Sequence, residues 1–98
     1  MKHVIKATAP TAYQLTSLNA FGMGNNKTGN GSYWAEKEFE TEQDAKAFLA
    51  TRAELYNDED PNGSEDRLND MLNSIMNQKT LTLDAVTAYI EEVEETEE

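Results

Sequence analysis

Apolar residues fall in short bursts along this chain, and the spacing within the bursts changes from two residues to three or four. Lys2–Thr8 (KHVIKAT) is rich in β-branched side chains and is stopped by Pro10, which predicts a strand. From Ala12 to Ala20, Tyr13, Leu15 and Ser17 alternate with Gln14 and Thr16, the pattern of a second strand. Phe21–Gly31 holds four glycines and three asparagines and reads as a long flexible connection, its Gly/Asn core spanning 22–31. Ser32–Phe39 resumes the alternation: Tyr33, Ala35 and Phe39 share one face of a third strand, while Trp34, Glu36 and Glu38 share the other.

Helical spacing takes over beyond Phe39. Thr41 is a good N-cap, Glu42 and Asp44 suit the positive end of the helix dipole, and Ala45, Phe48, Leu49, Arg52, Leu55 and Tyr56 recur at three-and-four spacing. Together they predict a helix over 42–56. The segment NDEDPNGS breaks it, and Ser64 caps a second helix whose stripe is Leu68, Met71, Leu72, Ile75 and Met76. Thr82 then caps a third, with Val86, Tyr89, Ile90 and Val93 as its stripe; Thr80–Leu83 (TLTL) reads alternatively as a brief strand before it. The glutamate-rich end, 94–98, is expected to fray by like-charge repulsion. The whole predicts one α+β domain over 1–98, order βββααα, with a small three-stranded antiparallel sheet covered on one face by helices.

Charge changes the picture more than composition does. The formal net charge is −11, and it is lopsided: residues 1–35 hold three lysines and no acid, whereas residues 36–98 hold all 19 acids against five basic residues. Such a field attracts cations and repels nucleic acid over most of the surface. There is no cysteine and only one histidine, His3, so disulfides, thiolate metal sites and multi-histidine centres are excluded. The N-terminus has no apolar run of signal-peptide length and no segment is apolar enough to span a membrane, so the expected compartment is the cytoplasm of a cell or of an infected host. Nothing marks any acid as catalytic, and the chain reads as a non-enzyme without a cofactor.

One local motif bears on cofactors. Counted from Asp58, oxygen-bearing residues stand at positions 1, 3, 5, 7, 9 and 12 (Asp58, Asp60, Asn62, Ser64, Asp66, Asn69), with Gly63 at position 6 and predicted helices on both sides. Over these 12 residues the chain resembles the EF-hand calcium loop, and the resemblance implies weak calcium binding through those six residues. The departures are Asn69 in place of the bidentate Glu, Glu65 at the usual apolar position, and Pro61 at position 4. The competing reading is an acidic helix–helix turn with Pro61 and Gly63 shaping the backbone.

The acids otherwise group as Glu36, Glu38, Glu40, Glu42 and Asp44, then the 58–70 cluster, then Asp84, Glu91, Glu92, Glu94 and Glu95 on the polar face of the predicted third helix. Dense carboxylates on helical faces can stand where a nucleic acid lays its phosphates. The resulting expectation is a binding protein that engages a basic nucleic-acid-handling protein through its acidic helical half, with Trp34 as a further anchor. In size, charge and predicted element order the chain is similar to small acidic α+β inhibitors encoded by phages, anti-CRISPR proteins among them, which implies an inhibitory role. The alternatives are the calcium module and a plain interaction subunit, for example a homodimer through the sheet face that carries Trp34. Direct binding of nucleic acid or of a membrane is not expected.

Overall fold

The computed structural model describes residues 2–24, 26–27, 31–84 and 86–94. Strand β1 (Lys2–Ala9) leads into a 3-10 turn (Ala12–Gln14) and a short helix α1 (Leu15–Asn19). Strands β2 (Asn26–Lys27) and β3 (Tyr33–Phe39) follow, then helices α2 (Glu42–Glu59) and α3 (Glu65–Gln78), and strands β4 (Thr80–Leu83) and β5 (Val86–Val93). The α+β class holds, but the order βββααα does not: the five strands form one antiparallel sheet in the order β2-β3-β1-β5-β4.

Two of the predicted elements change type. The third helix is instead the end of β4, a turn and β5. Val86 and Ile90, four residues apart, lie on one face of either a helix or a strand, so their spacing does not choose. Ala88, two residues from each, is buried with them, and Leu81, Leu83, Val86, Ala88 and Ile90 alternate with exposed Thr82, Thr87 and Tyr89. Asp84 turns the chain between the two strands with φ +58°. The predicted second strand is the 3-10 turn and α1. Its signal was the pair Thr11 and Gln14: the Gln14 side-chain oxygen accepts from the Thr11 amide (3.2 Å) and from the Thr11 hydroxyl (2.9 Å), half of a capping box. Phe21, assigned to the loop, is fully buried beside Leu18. The 22–31 loop contributes β2, while positions 25 and 28–30 of it, and 95–98 of the expected frayed tail, lie outside the described residues.

Register places the two sheet faces in different environments. Ile5, Ala7 and Ala9 of β1 share a face with Ala35 of β3 and with Val86, Ala88 and Ile90 of β5, and all are buried. Helix α2 lies over them through Ala45, Leu49, Ala53 and Asn57, one residue every four. Its small alanines allow a close approach, and α3 adds Ile75 beside the β4 edge. The other face carries Lys2, Val4, Lys6 and Thr8, flanked by Trp34, Glu36 and Glu38 on β3 and by Tyr89, Glu91 and Val93 on β5. The molecule is only 17 Å deep along its shortest axis, the depth of one helix layer on one sheet.

The predicted caps are in place: the Thr41 hydroxyl accepts from the Asp44 amide and the Ser64 hydroxyl from the Arg67 amide, each at 3.1 Å. The turn between α2 and α3 is pinned by buried Asn57. Its side-chain amide donates to the Ser64 carbonyl (3.1 Å) and its side-chain oxygen accepts from Arg67 Nε (3.1 Å). Gly63 passes so close that a Cβ there would sit 2.0 Å from the Asn57 carbonyl oxygen. The Gly63→Ala variant is therefore expected to lose about 1–3 kcal/mol in urea denaturation, the range of an overpacked site. Its loss should exceed that of Gly24→Ala, where a Cβ meets no atom within 4 Å and only the positive φ is strained.

Candidate interaction surface

The acidic residues named from sequence do not share one helical side. Glu36 and Glu38 stand on the uncovered sheet face. There Glu38 pairs with Lys2 (3.3 Å), and Glu91 on the neighbouring strand pairs with Lys6 (2.6 Å). The hydrogen bond to Glu91 holds the Lys6 ammonium above its ordinary pKa. These pairs flank Val4, which is buried although no helix covers it; lysine stems shield apolar surface in this way. Glu92 points to the opposite face, across from His3. Glu40 and Glu94 are exposed outside regular elements, and Glu95 lies outside the described residues. Asp84 is the hairpin-turn residue, and its carboxylate accepts from the Ser17 hydroxyl (3.3 Å). The polar helical face of Asp84, Glu91, Glu92, Glu94 and Glu95 is thus replaced by a turn and a strand that divides its acids between two faces.

Trp34 shares the uncovered face with Tyr89, the two being 37% and 44% exposed. Leu18 and Ala20 belong to the helix-side core.

The calcium-like loop is folded around a guanidinium. Asp58 lies in the last turn of α2, Asp60 is its C-cap residue, and Asp66 and Asn69 lie on α3. One Asp60 oxygen accepts from the Asn62 amide (2.9 Å) and the other from Arg67 Nη1 (2.7 Å). These bonds, the backbone one foremost, hold the Asp60 carboxyl below its ordinary pKa. Arg67 also stacks over Tyr56, with the guanidinium carbon 5.4 Å from the ring centre. Ser64 serves as helix cap, and no group of three or more His, Asp or Glu able to hold a metal ion occurs among the described residues.

The helix layer has a different electrostatic character. Each of its cations is tied to its own chain. Arg52 donates twice to the Ala20 carbonyl (3.0 and 2.9 Å), Arg67 binds Asn57 and Asp60, and Lys46 donates to the Met76 carbonyl (3.3 Å). Glu42 is ion-paired to both Lys46 and Lys79, and the Lys79 contact above all lowers the Glu42 pKa and raises that of Lys79. By contrast Asp44, Glu54, Asp58, Glu59, Glu65, Asp66 and Asp70 are exposed, and none has a counter-ion among the described residues. On α2, Asp44, Glu54 and Asp58 fall on one outward stripe with Ala47, Thr51 and Leu55, opposite the buried Ala45–Leu49–Ala53 row.

One apolar residue of the predicted stripe on each long helix also faces outward: Leu55 on α2, 44% exposed, and Met76 on α3, 62% exposed. Met76 stands at the mouth of a groove of about 380 Å³ between α2 and α3. Nothing in a single helix's periodicity reports that groove, because it arises where Ala47 and Ala50 of one helix meet Leu72 and Met76 of the other. No family model, curated protein or solved structure matches the chain.

The Asp60 contacts set a pH dependence. A carboxylate whose pKa is lowered by folding stabilises the protein above its unfolded pKa, about 4, and loses that contribution as pH falls through the lowered folded value. The Asp60→Asn variant should therefore melt below the parent protein by a constant margin from pH 8 to 5. Below about pH 4 the margin should shrink as the parent's own Asp60 protonates. Thermal melts followed by circular dichroism at each pH check this.

Proposed function

We propose that this chain is a small non-catalytic binding protein that docks the exposed carboxylates of its helix layer on a basic protein surface. The observation that carries the reading is the asymmetry just described: Lys46, Arg52, Arg67 and Lys79 are consumed internally, whereas seven carboxylates on the same layer have no counter-ion among the described residues. Surfaces rich in lysine and arginine belong above all to proteins that hold nucleic acid, so occupation of such a surface would inhibit by competition. Size and charge still support the likeness to phage-encoded acidic inhibitors; element order no longer does.

Charge density argues for docking over phosphate-by-phosphate mimicry. Asp44 to Asp58 spans about 21 Å of helix. Duplex DNA carries roughly 12 charges over that length at about one per 1.7 Å, against three on this stripe. A homodimer through the uncovered sheet face is less favoured. Five strands about 4.8 Å apart and eight residues at about 3.3 Å per residue offer a footprint of about 500 Å². That is below the roughly 800 Å² per partner of a standard interface.

The test uses poly-lysine and a basic nucleic-acid-binding protein as probes in isothermal calorimetry. Joint replacement of Asp44, Glu54, Asp58 and Asp70 by their amides is expected to weaken binding at least tenfold, whereas amides at Glu36, Glu38 and Glu91 leave it within about threefold. Affinity unchanged at 0.5 M salt, where screening confines charge interactions to a few ångströms, would count against the reading.

A further inference from the structure

The groove between α2 and α3 lies inside the acidic layer, and its chemistry is different from its surroundings. Ile75 forms a buried floor, Leu72 is half-buried, and Met76 is largely exposed at the mouth. Across from them α2 presents Ala47 and Ala50, two side chains too short to fill the gap. The space of about 380 Å³ is at the lower end of ligand-pocket volumes, about 300–1,000 Å³. Glu42, Gln43 and Lys46 line the groove as well, and the Lys46 ammonium is held there by the Met76 carbonyl and by Glu42, which also pairs with Lys79. Asp44 lies one turn before Ala47 on α2 and Glu54 one turn after Ala50, and neither has a counter-ion among the described residues.

We infer that the groove is the anchor pocket of the acidic surface: it takes an apolar side chain, leucine, methionine or phenylalanine, projected from a lysine- or arginine-rich helix of the partner. This inference rests on the docking function proposed above and adds the partner's chemistry. Charge alone steers encounter and gives little lasting affinity, whereas an apolar anchor in a desolvated pocket supplies it. An apolar stripe at helical spacing, flanked by cations, matches a groove bordered by Asp44 and Glu54. Met76, unbranched and polarisable, can repack around anchors of different shape.

The probes are three synthetic 14-residue peptides. One is of lysine and leucine with the leucines at helical spacing, one has the same composition scrambled so that no stripe forms, and one has glutamine in place of leucine. Methyl-detected NMR should show the striped peptide moving the Met76, Leu72, Ala47 and Ala50 signals while Trp34 emission, on the opposite face, stays unchanged. Calorimetry should show it binding about tenfold more tightly than the scrambled peptide. The Ala47→Leu variant, at an exposed position where the added side chain fills the groove, should remove that advantage and leave the salt dependence intact. Met76→Gln should do the same in part and guards against misfolding of the first variant. Equal binding of striped and scrambled peptides, no effect of Ala47→Leu in a protein that melts normally, or signal changes centred on Trp34 would overturn the anchor pocket while the acidic docking surface stood. Absence of binding by all three peptides at low salt would overturn both.

Discussion

Strand β1 is hydrogen-bonded on both sides, to β3 and to β5, and everything else is hung from that arrangement. Its odd-numbered residues Ile5, Ala7 and Ala9 project into the space under the helices. Its even-numbered lysines meet carboxylates of the flanking strands on the other side. One strand therefore separates an apolar layer from a charged one, and a register slip of one residue would exchange them. The consequence is a sheet buried on a single face, with a helix pair that must carry the chain from β3 across to the far edge at β4.

That crossing shapes the surface of the helix layer. Helices α2 and α3 run side by side over the sheet, joined by a turn whose geometry is dictated by Asn57, Gly63 and Arg67. Basic residues on this layer act as internal fasteners: Arg52 secures the end of α1, Arg67 the interhelical turn, and Lys46 the last turn of α3. Their use inside the fold adds to the excess of acids over bases that leaves the outer carboxylates uncompensated.

The two candidate surfaces differ in how much of their charge is already satisfied. On the sheet face, lysines and glutamates pair across strands, and the aromatic groups Trp34 and Tyr89 stand among them. On the helix layer seven exposed carboxylates have no counter-ion among the described residues, and a groove opens between the helices at Ala47, Ala50, Leu72 and Met76. Exposed carboxylates and an apolar groove lie together on the second surface.

Residue order alone determined the α+β class, β1, β3, both long helices and their caps at Thr41 and Ser64, because each is written in local spacing or in a hydrogen bond spanning three residues. It also determined the charge imbalance, and the alternation that places Trp34, Glu36 and Glu38 together. What it left open was decided by contacts between distant segments. Val86 and Ile90 satisfy either period, and only pairing with β1 and β4 selects the strand. Leu18 sits in a helix too short to show a period and Phe21 in the turn after it, and both become core because the helices and sheet leave a space for them. Which acids remain free, and that two alanines face a leucine and a methionine across a groove, depends on where α2 and α3 lie against each other, a relation that no single segment encodes.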